Sequence, residues 1–188
     1  MKFRDLKAEE IECRVQSVKD NGLALLLYKD ARVDMSILDE TVGAENWQRE
    51  HYECKGNLFC RVGIRCDQVK YREANGDTGI APDWVWKSDC GTESNTEAQK
   101  GEASDSFKRA CFNWGIGREL YTAPFIWIGA DKCNIKESKN AQGKTVYVSY
   151  DKFTVEKIII ENKQITAVAI WNITKGCRAF VWQKEAKK

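Results

Sequence analysis

Two adjacent cations and an aromatic ring, Lys108, Arg109 and Phe112, form the cluster of this chain most suited to chemistry. Paired cations can neutralise phosphates, and a ring left outside the core can stack on a nucleobase, which contributes ~1–3 kcal/mol per base without sequence preference. Lys108 and Phe112 are four residues apart and therefore adjacent on a helix. A solvated surface explains the cations equally well, but a Phe opposite a core stripe must pack against another element, another subunit or a base.

An amphipathic helix positions this cluster. Its apolar stripe repeats with the 3.6-residue period and consists of Ala103, Phe107, Ala110, Cys111 and Trp114. Thr96 and Gln99 suit a capping box at the start of the helix, and Gly115 suits a left-handed residue at its end. At about 100° per residue, Lys108, Arg109 and Phe112 fall on the side away from the stripe.

Two blocks of the chain resemble the Rad52-type single-strand annealing proteins, particularly their phage-encoded and bacterial members. The first block contains GEASDSFKRA at 101–110 and WGIGRELY at 114–121. The second contains YKDARV at 28–33 and LDETVGAENW at 38–47. The blocks lie in the expected order, and the likeness covers about residues 3–130.

The resemblance implies a protein that forms rings, binds single-stranded DNA in a groove and anneals complementary strands without ATP. It assigns DNA-backbone contacts to Lys108 and Arg109 and places Arg32 in the groove. Some members have a basic residue one turn after the Lys, where this chain has Phe112, which indicates stacking in place of one ionic contact.

Lys100 and Arg118, at either end of the helix, are further DNA-binding candidates, although either could instead contact a helix C-terminus on a neighbouring subunit.

The first functional hypothesis is therefore a non-enzymatic annealing protein for recombination and repair, with no cofactor, metal or catalytic residue. Its expected partners are single-stranded DNA, further copies of itself in a ring, and a single-strand-binding protein or exonuclease. The alternative is an oligomer that protects DNA ends or recruits a recombinase without annealing. A Mg-dependent nuclease is a remote third hypothesis, because Asp83 and Glu137 only loosely match a restriction-type pattern.

Composition constrains these hypotheses. The chain has 188 residues, 43% of them hydrophobic, and a net charge of only +2. A weakly charged protein holds a polyanion better when an oligomer repeats a local contact than as a monomer. Eight cysteines without a C-x-x-C pair, and His51 as the single histidine, argue against zinc and favour buried thiols in a reducing cytoplasm.

The absence of an apolar run long enough for a signal peptide or a membrane span predicts a cytoplasmic protein. The resemblance implies a location at the nucleoid of a bacterium or a phage-infected cell.

Hydrophobic patterns predict an α+β fold with an antiparallel sheet. The element order is strand, strand, helix, three strands and the long helix, followed by a β-rich extension. We expect an annealing core at 1–130 and an extension at 131–188 that is part of the same domain. Residues 73–83 and 136–144 are predicted to be loops. Trp84 and Trp86 share one strand face and could serve the core, a subunit interface or a base platform.

Overall fold

The computed structural model describes residues 1–74, 76–92 and 98–185. The two helices are α1 (Ala31–Val42) and α2 (Ala98–Trp114). The strands are β1 (Glu12–Lys19), β2 (Gly22–Tyr28), β3 (Trp47–Cys54), β4 (Asn57–Arg72), β5 (Thr78–Cys90), β6 (Ile126–Gly129), β7 (Lys136–Lys139), β8 (Thr145–Val148), β9 (Phe153–Glu161), β10 (Gln164–Asn172) and β11 (Cys177–Gln183). The α+β class and the predicted order of elements through α2 are confirmed.

The chain forms two compact units. Unit 1 comprises Met1–Arg4 and Ala31–Gly117, and unit 2 comprises Asp5–Asp30 and Arg118–Lys188. In the described ranges no helix is both long and apolar enough to cross a membrane.

Unit 1 is an antiparallel sheet of order β3-β4-β5 that packs against α2. Side chains alternate along β4, so Cys60, Val62 and Ile64 point to one face and are completely buried. Phe107 of α2 is also completely buried, as are Ala110 and Cys111. Helix and sheet therefore share one core, and helix α1 lies in contact with α2.

Unit 2 contains a six-stranded antiparallel sheet of order β11-β10-β9-β1-β2-β6. Hairpin β1–β2 turns at Asp20-Asn21-Gly22, where Lys19 pairs with Gly22. Strand β9 joins this hairpin through the pair Glu12 and Thr154. Strands β7 and β8 form a separate two-stranded sheet.

Two predicted loops are partly wrong. Residues 136–139 form β7, in which Lys136 pairs with Val148 of β8. Strand β5 begins at Thr78, opposite Arg72, so the predicted 73–83 loop is confined to the hairpin tip. Both errors have one cause: hydrogen bonds to a neighbouring strand stabilise a segment that has no clear hydrophobic alternation of its own.

Candidate nucleic-acid interface

The buried side of α2 is fixed by aromatic packing against β3. The Phe107 ring stacks on Trp47 with a centroid distance of 6.1 Å, and the guanidinium of Arg49 lies 4.8 Å from the Phe107 ring centre. Trp114, at the other end of the stripe, donates its indole N–H to the Val62 carbonyl at 3.0 Å. These contacts fix the rotation of α2 about its axis, and hence the side that faces outward.

The C-terminal end of α2 closes at Gly115, as predicted. Gly115 has a φ of 93°, and the amide of Ile116 donates to the Cys111 carbonyl at 3.1 Å. Lys87 of β5 donates its amine to the Asn113 carbonyl at 2.8 Å and lies 4.6 Å from the centre of the Trp114 ring. A cation therefore complements the negative end of the helix dipole.

Lys108, Arg109 and Phe112 are all half-buried on the outward side of α2. Phe112 is less exposed than the sequence suggests, so only part of its ring can meet a ligand. Among the described residues, Lys108 has no hydrogen-bond or ion-pair partner. The outward side thus offers a lysine amine and part of an aromatic face one helical turn apart.

Arg109 leans towards β5, where it meets Asp89. Its Nε lies 3.4 Å from an Asp89 carboxylate oxygen, and the two side chains are 39% and 29% exposed. Asn113, one turn further along α2, donates its amide to the Ser88 carbonyl at 3.0 Å and to the other Asp89 oxygen at 3.4 Å. One flank of the helix is therefore tied to the edge strand by polar contacts.

The other predicted site residues lie at three places. Arg32 is exposed in the first turn of α1, within unit 1, and its carbonyl accepts a hydrogen bond from the Ser36 hydroxyl at 3.1 Å. Arg118 is exposed in unit 2, at the start of a 3₁₀ helix over Arg118–Thr122. Lys100 belongs to the first turn of α2, and its side chain lies outside the described part of the chain. The predicted capping residue Thr96 also lies outside it.

The opposite face of the unit 1 sheet is aromatic. Trp84 and Trp86 point away from α2, because their strand partners Arg65 and Gly63 alternate with the buried residues of β4. The Trp86 ring lies against Gly63, where a Cβ would come within 2.8 Å of it. The guanidinium of Arg61 sits 4.6 Å above Trp86 and also binds Glu50. Both tryptophans are half-buried, so they do not belong to the core beneath α2.

Sequence reasoning missed Asp89 and Asn113 as partners of the cluster. The strand register carried a weak signal for Asp89. Asp89 pairs with the buried Cys60 and therefore faces the helix, although an alternating strand pattern alone does not say which helical turn it meets.

The cysteines form no reactive centre beneath the cluster. All eight are free thiols, and burial raises the pKa of Cys60 to about 11, so it remains protonated near neutral pH. Within the described residues no group of three or more His, Cys, Asp or Glu side chains is arranged to hold a metal ion.

Comparison with known proteins places this arrangement in context. A family model described as Rad52/22 family double-strand break repair protein matches residues 3–142, which include both helices and β1 to β7. No curated protein and no solved structure gave a significant match.

Proposed function

This chain belongs to the Rad52/22 family of double-strand break repair proteins, and from that premise we propose that it binds single-stranded DNA and anneals complementary strands without ATP. Membership of the family makes it a DNA repair and recombination protein. The proposal adds the strand-binding surface, the annealing reaction and the assembly.

The outward side of α2 is the observation that carries the proposal. Lys108 and Arg109 are adjacent, half-buried cations on a helix whose rotation is fixed by Phe107 and Trp114. Cations held in a fixed position lose less freedom on binding phosphate than cations on a loop. Phe112, one turn after Lys108, adds a partly open ring on which a base can stack.

Annealing follows if phosphates are bound and base edges stay accessible. A strand held by its backbone on Lys108, Arg109 and Arg32 is extended and keeps its Watson–Crick edges open to a complementary strand. Base pairing supplies the free energy of the reaction, so no nucleotide hydrolysis and no cofactor are required. Lys100 and Arg118 are proposed as peripheral phosphate contacts.

An oligomeric ring accounts for strand binding by a protein with a net charge of +2. Each subunit supplies only a few phosphate contacts, but a strand that passes from one subunit to the next sums them. Native mass spectrometry with and without a long oligonucleotide measures the assembly. A monomer in both conditions would contradict the ring.

The double variant Lys108→Ala plus Arg109→Ala tests the site. Charge-assisted contacts contribute about 1.5–3 kcal/mol each, so losing two is expected to weaken binding of a dye-labelled oligo-dT by about 100-fold or more at low salt. The matched control is Lys139→Ala plus Lys144→Ala, which removes two exposed cations from the β7–β8 hairpin of unit 2. Unchanged affinity in the first variant, with circular dichroism and native mass intact, would refute the site.

A second assay tests the reaction. Two complementary oligonucleotides, one carrying a fluorophore and the other a quencher, are mixed with the protein in the absence of ATP. Faster duplex formation is expected. Binding without acceleration would favour an oligomer that coats DNA ends or recruits a recombinase, and cleavage of labelled DNA in Mg²⁺ would favour a nuclease.

The expected location is the cytoplasm of a bacterium or phage-infected cell.

A further inference from the structure

Asp89 places a negative charge beside one of the two cations proposed to bind DNA. We infer that Asp89 is a built-in counter-ion that competes with DNA phosphate for Arg109 and so limits the affinity of strand binding. The inference rests on the proposed function, because it describes how the same surface is regulated.

The Asp89 carboxylate is held in place without help from Arg109. One oxygen accepts the Cys90 backbone amide at 2.9 Å, and the other accepts the Asn113 side-chain amide at 3.4 Å. Asn113 is itself tied to β5 through the Ser88 carbonyl at 3.0 Å. When Arg109 moves to a phosphate, the short hydrogen bond from the Cys90 amide still holds the carboxylate beside α2.

The ion pair between Asp89 and Arg109 is weak enough for a phosphate to replace the carboxylate. It is long, at 3.4 Å, and involves Nε of the guanidinium. Both side chains are accessible to water, at 39% and 29%, and accessible ion pairs of this kind are weak. A phosphate offers the guanidinium a shorter, charge-assisted contact and can displace the carboxylate.

Competition has two consequences for the strand. Before binding, Asp89 neutralises part of the charge of Arg109, and after binding it repels the phosphate that Arg109 holds. Both effects weaken the complex and favour release of the strand. Release matters for annealing, since the protein must let go of the duplex that it has helped to form.

The test is the near-isosteric Asp89→Asn variant in the full chain, assayed with dye-labelled oligo-dT at NaCl concentrations between about 50 and 200 mM. Binding is expected to tighten by about two- to fivefold for each subunit in contact. The plot of log affinity against log salt is expected to steepen by up to about 0.7 per subunit, because Arg109 then neutralises its phosphate without competition from the Asp89 carboxylate. In an Arg109→Ala background the gain is expected to vanish.

Two controls isolate the local effect. Asp89→Glu keeps the charge and is expected to bind within twofold of the unaltered protein. Glu50→Gln removes the acid of another Arg–acid pair, with Arg61 on the opposite sheet face, at the same change in net charge. Glu50→Gln is expected to leave the affinity for oligo-dT unchanged. If it tightened binding as much as Asp89→Asn, the gain would be explained by net charge alone, which would contradict the counter-ion role of Asp89.

The outcomes separate this inference from the proposed function. If the unaltered protein does not bind oligo-dT, the proposed function fails. If it binds, Arg109→Ala weakens it and Asp89→Asn binds equally or more weakly, only the counter-ion role fails. Asp89→Ser, whose hydroxyl can still accept the Cys90 amide, answers the same question should Asp89→Asn not fold.

Discussion

Two aspartates of this chain, Asp89 in unit 1 and Asp151 in unit 2, are each held by asparagine side chains but in opposite ways. Asp151 is only 9% exposed and accepts three hydrogen bonds at 2.8 Å, from the backbone amide and side chain of Asn134 and from Asn172. Asp89 is more accessible, and its contacts to Asn113 and Arg109 are both 3.4 Å long.

The difference separates a structural carboxylate from an exchangeable one. Short hydrogen bonds from neutral donors, among them the buried Asn172, leave no cation for an anionic ligand and stabilise the loops that carry them. A long contact to an accessible arginine stabilises little, but it leaves a cation that a phosphate can capture. Asp151 therefore stabilises the fold of unit 2, whereas Asp89 is the carboxylate that we infer to compete with phosphate for Arg109.

The largest effect is expected from Asp151→Ala. It leaves the amides of Asn134 and Asn172 without their acceptor, which costs about 3 kcal/mol of the free energy of unfolding. Asp89→Ala is expected to cost less than about 1 kcal/mol, as for other accessible ion pairs. Urea unfolding measures both. Equal losses would remove the distinction between the two aspartates.

The asparagines sharpen the same comparison. Asn172 is completely buried, donates to the Lys132 carbonyl and to Asp151, and accepts the Lys175 amide. Asn172→Ala is expected to cost about 2 kcal/mol, because the buried Asp151 carboxylate and the Lys132 carbonyl lose a donor. Asn113 is exposed, so Asn113→Ala is expected to change stability by less than about 0.5 kcal/mol. The melting temperatures of the two variants measure this difference, and equal losses would contradict it.

Two arginines extend the comparison to DNA. Arg178 binds Glu156 through two nitrogens, at 2.6 and 2.5 Å, whereas the Nε of Arg109 lies 3.4 Å from Asp89. Arg109→Ala is expected to weaken oligo-dT binding about tenfold, the loss of one charge-assisted contact. Arg178→Ala is the control and is expected to bind normally by fluorescence anisotropy. A larger loss of affinity in Arg178→Ala than in Arg109→Ala would contradict a DNA-binding site on α2.

The smallest effect concerns acid stability. Burial raises the pKa of Asp151, but hydrogen bonds from Asn172 and Asn134 outweigh it, so the pKa lies below its ordinary value. A carboxylate with a lowered folded-state pKa contributes stability above its unfolded pKa of about 4 and loses it as the pH falls through the folded value.

Asp151→Asn is therefore expected to flatten the acid limb of a plot of unfolding free energy against pH. Asp89→Asn serves as the comparison variant. An unchanged acid limb for Asp151→Asn would show that the carboxylate contributes no pH-dependent stability.

Much of unit 1 could be predicted because its signals are local. The 3.6-residue stripe at Phe107, Ala110 and Cys111 identified the buried side of α2, and Gly115 marked its end. The alternation of Cys60, Val62 and Ile64 is a local signal of the same kind for the buried face of β4. Each pattern reflects geometry within a single helix or strand, so one segment contains all the information required.

The sequence by itself determined the α+β class, the order of elements through α2 and the membership suggested by two motif blocks. Only the tertiary structure decided that Arg109 meets Asp89, twenty residues away, that Phe112 is half-buried and that β9 joins β1 in one sheet. These features depend on which turn of a helix lies over which strand and which strand edges pair. Packing between distant segments sets both, and no local periodicity encodes them.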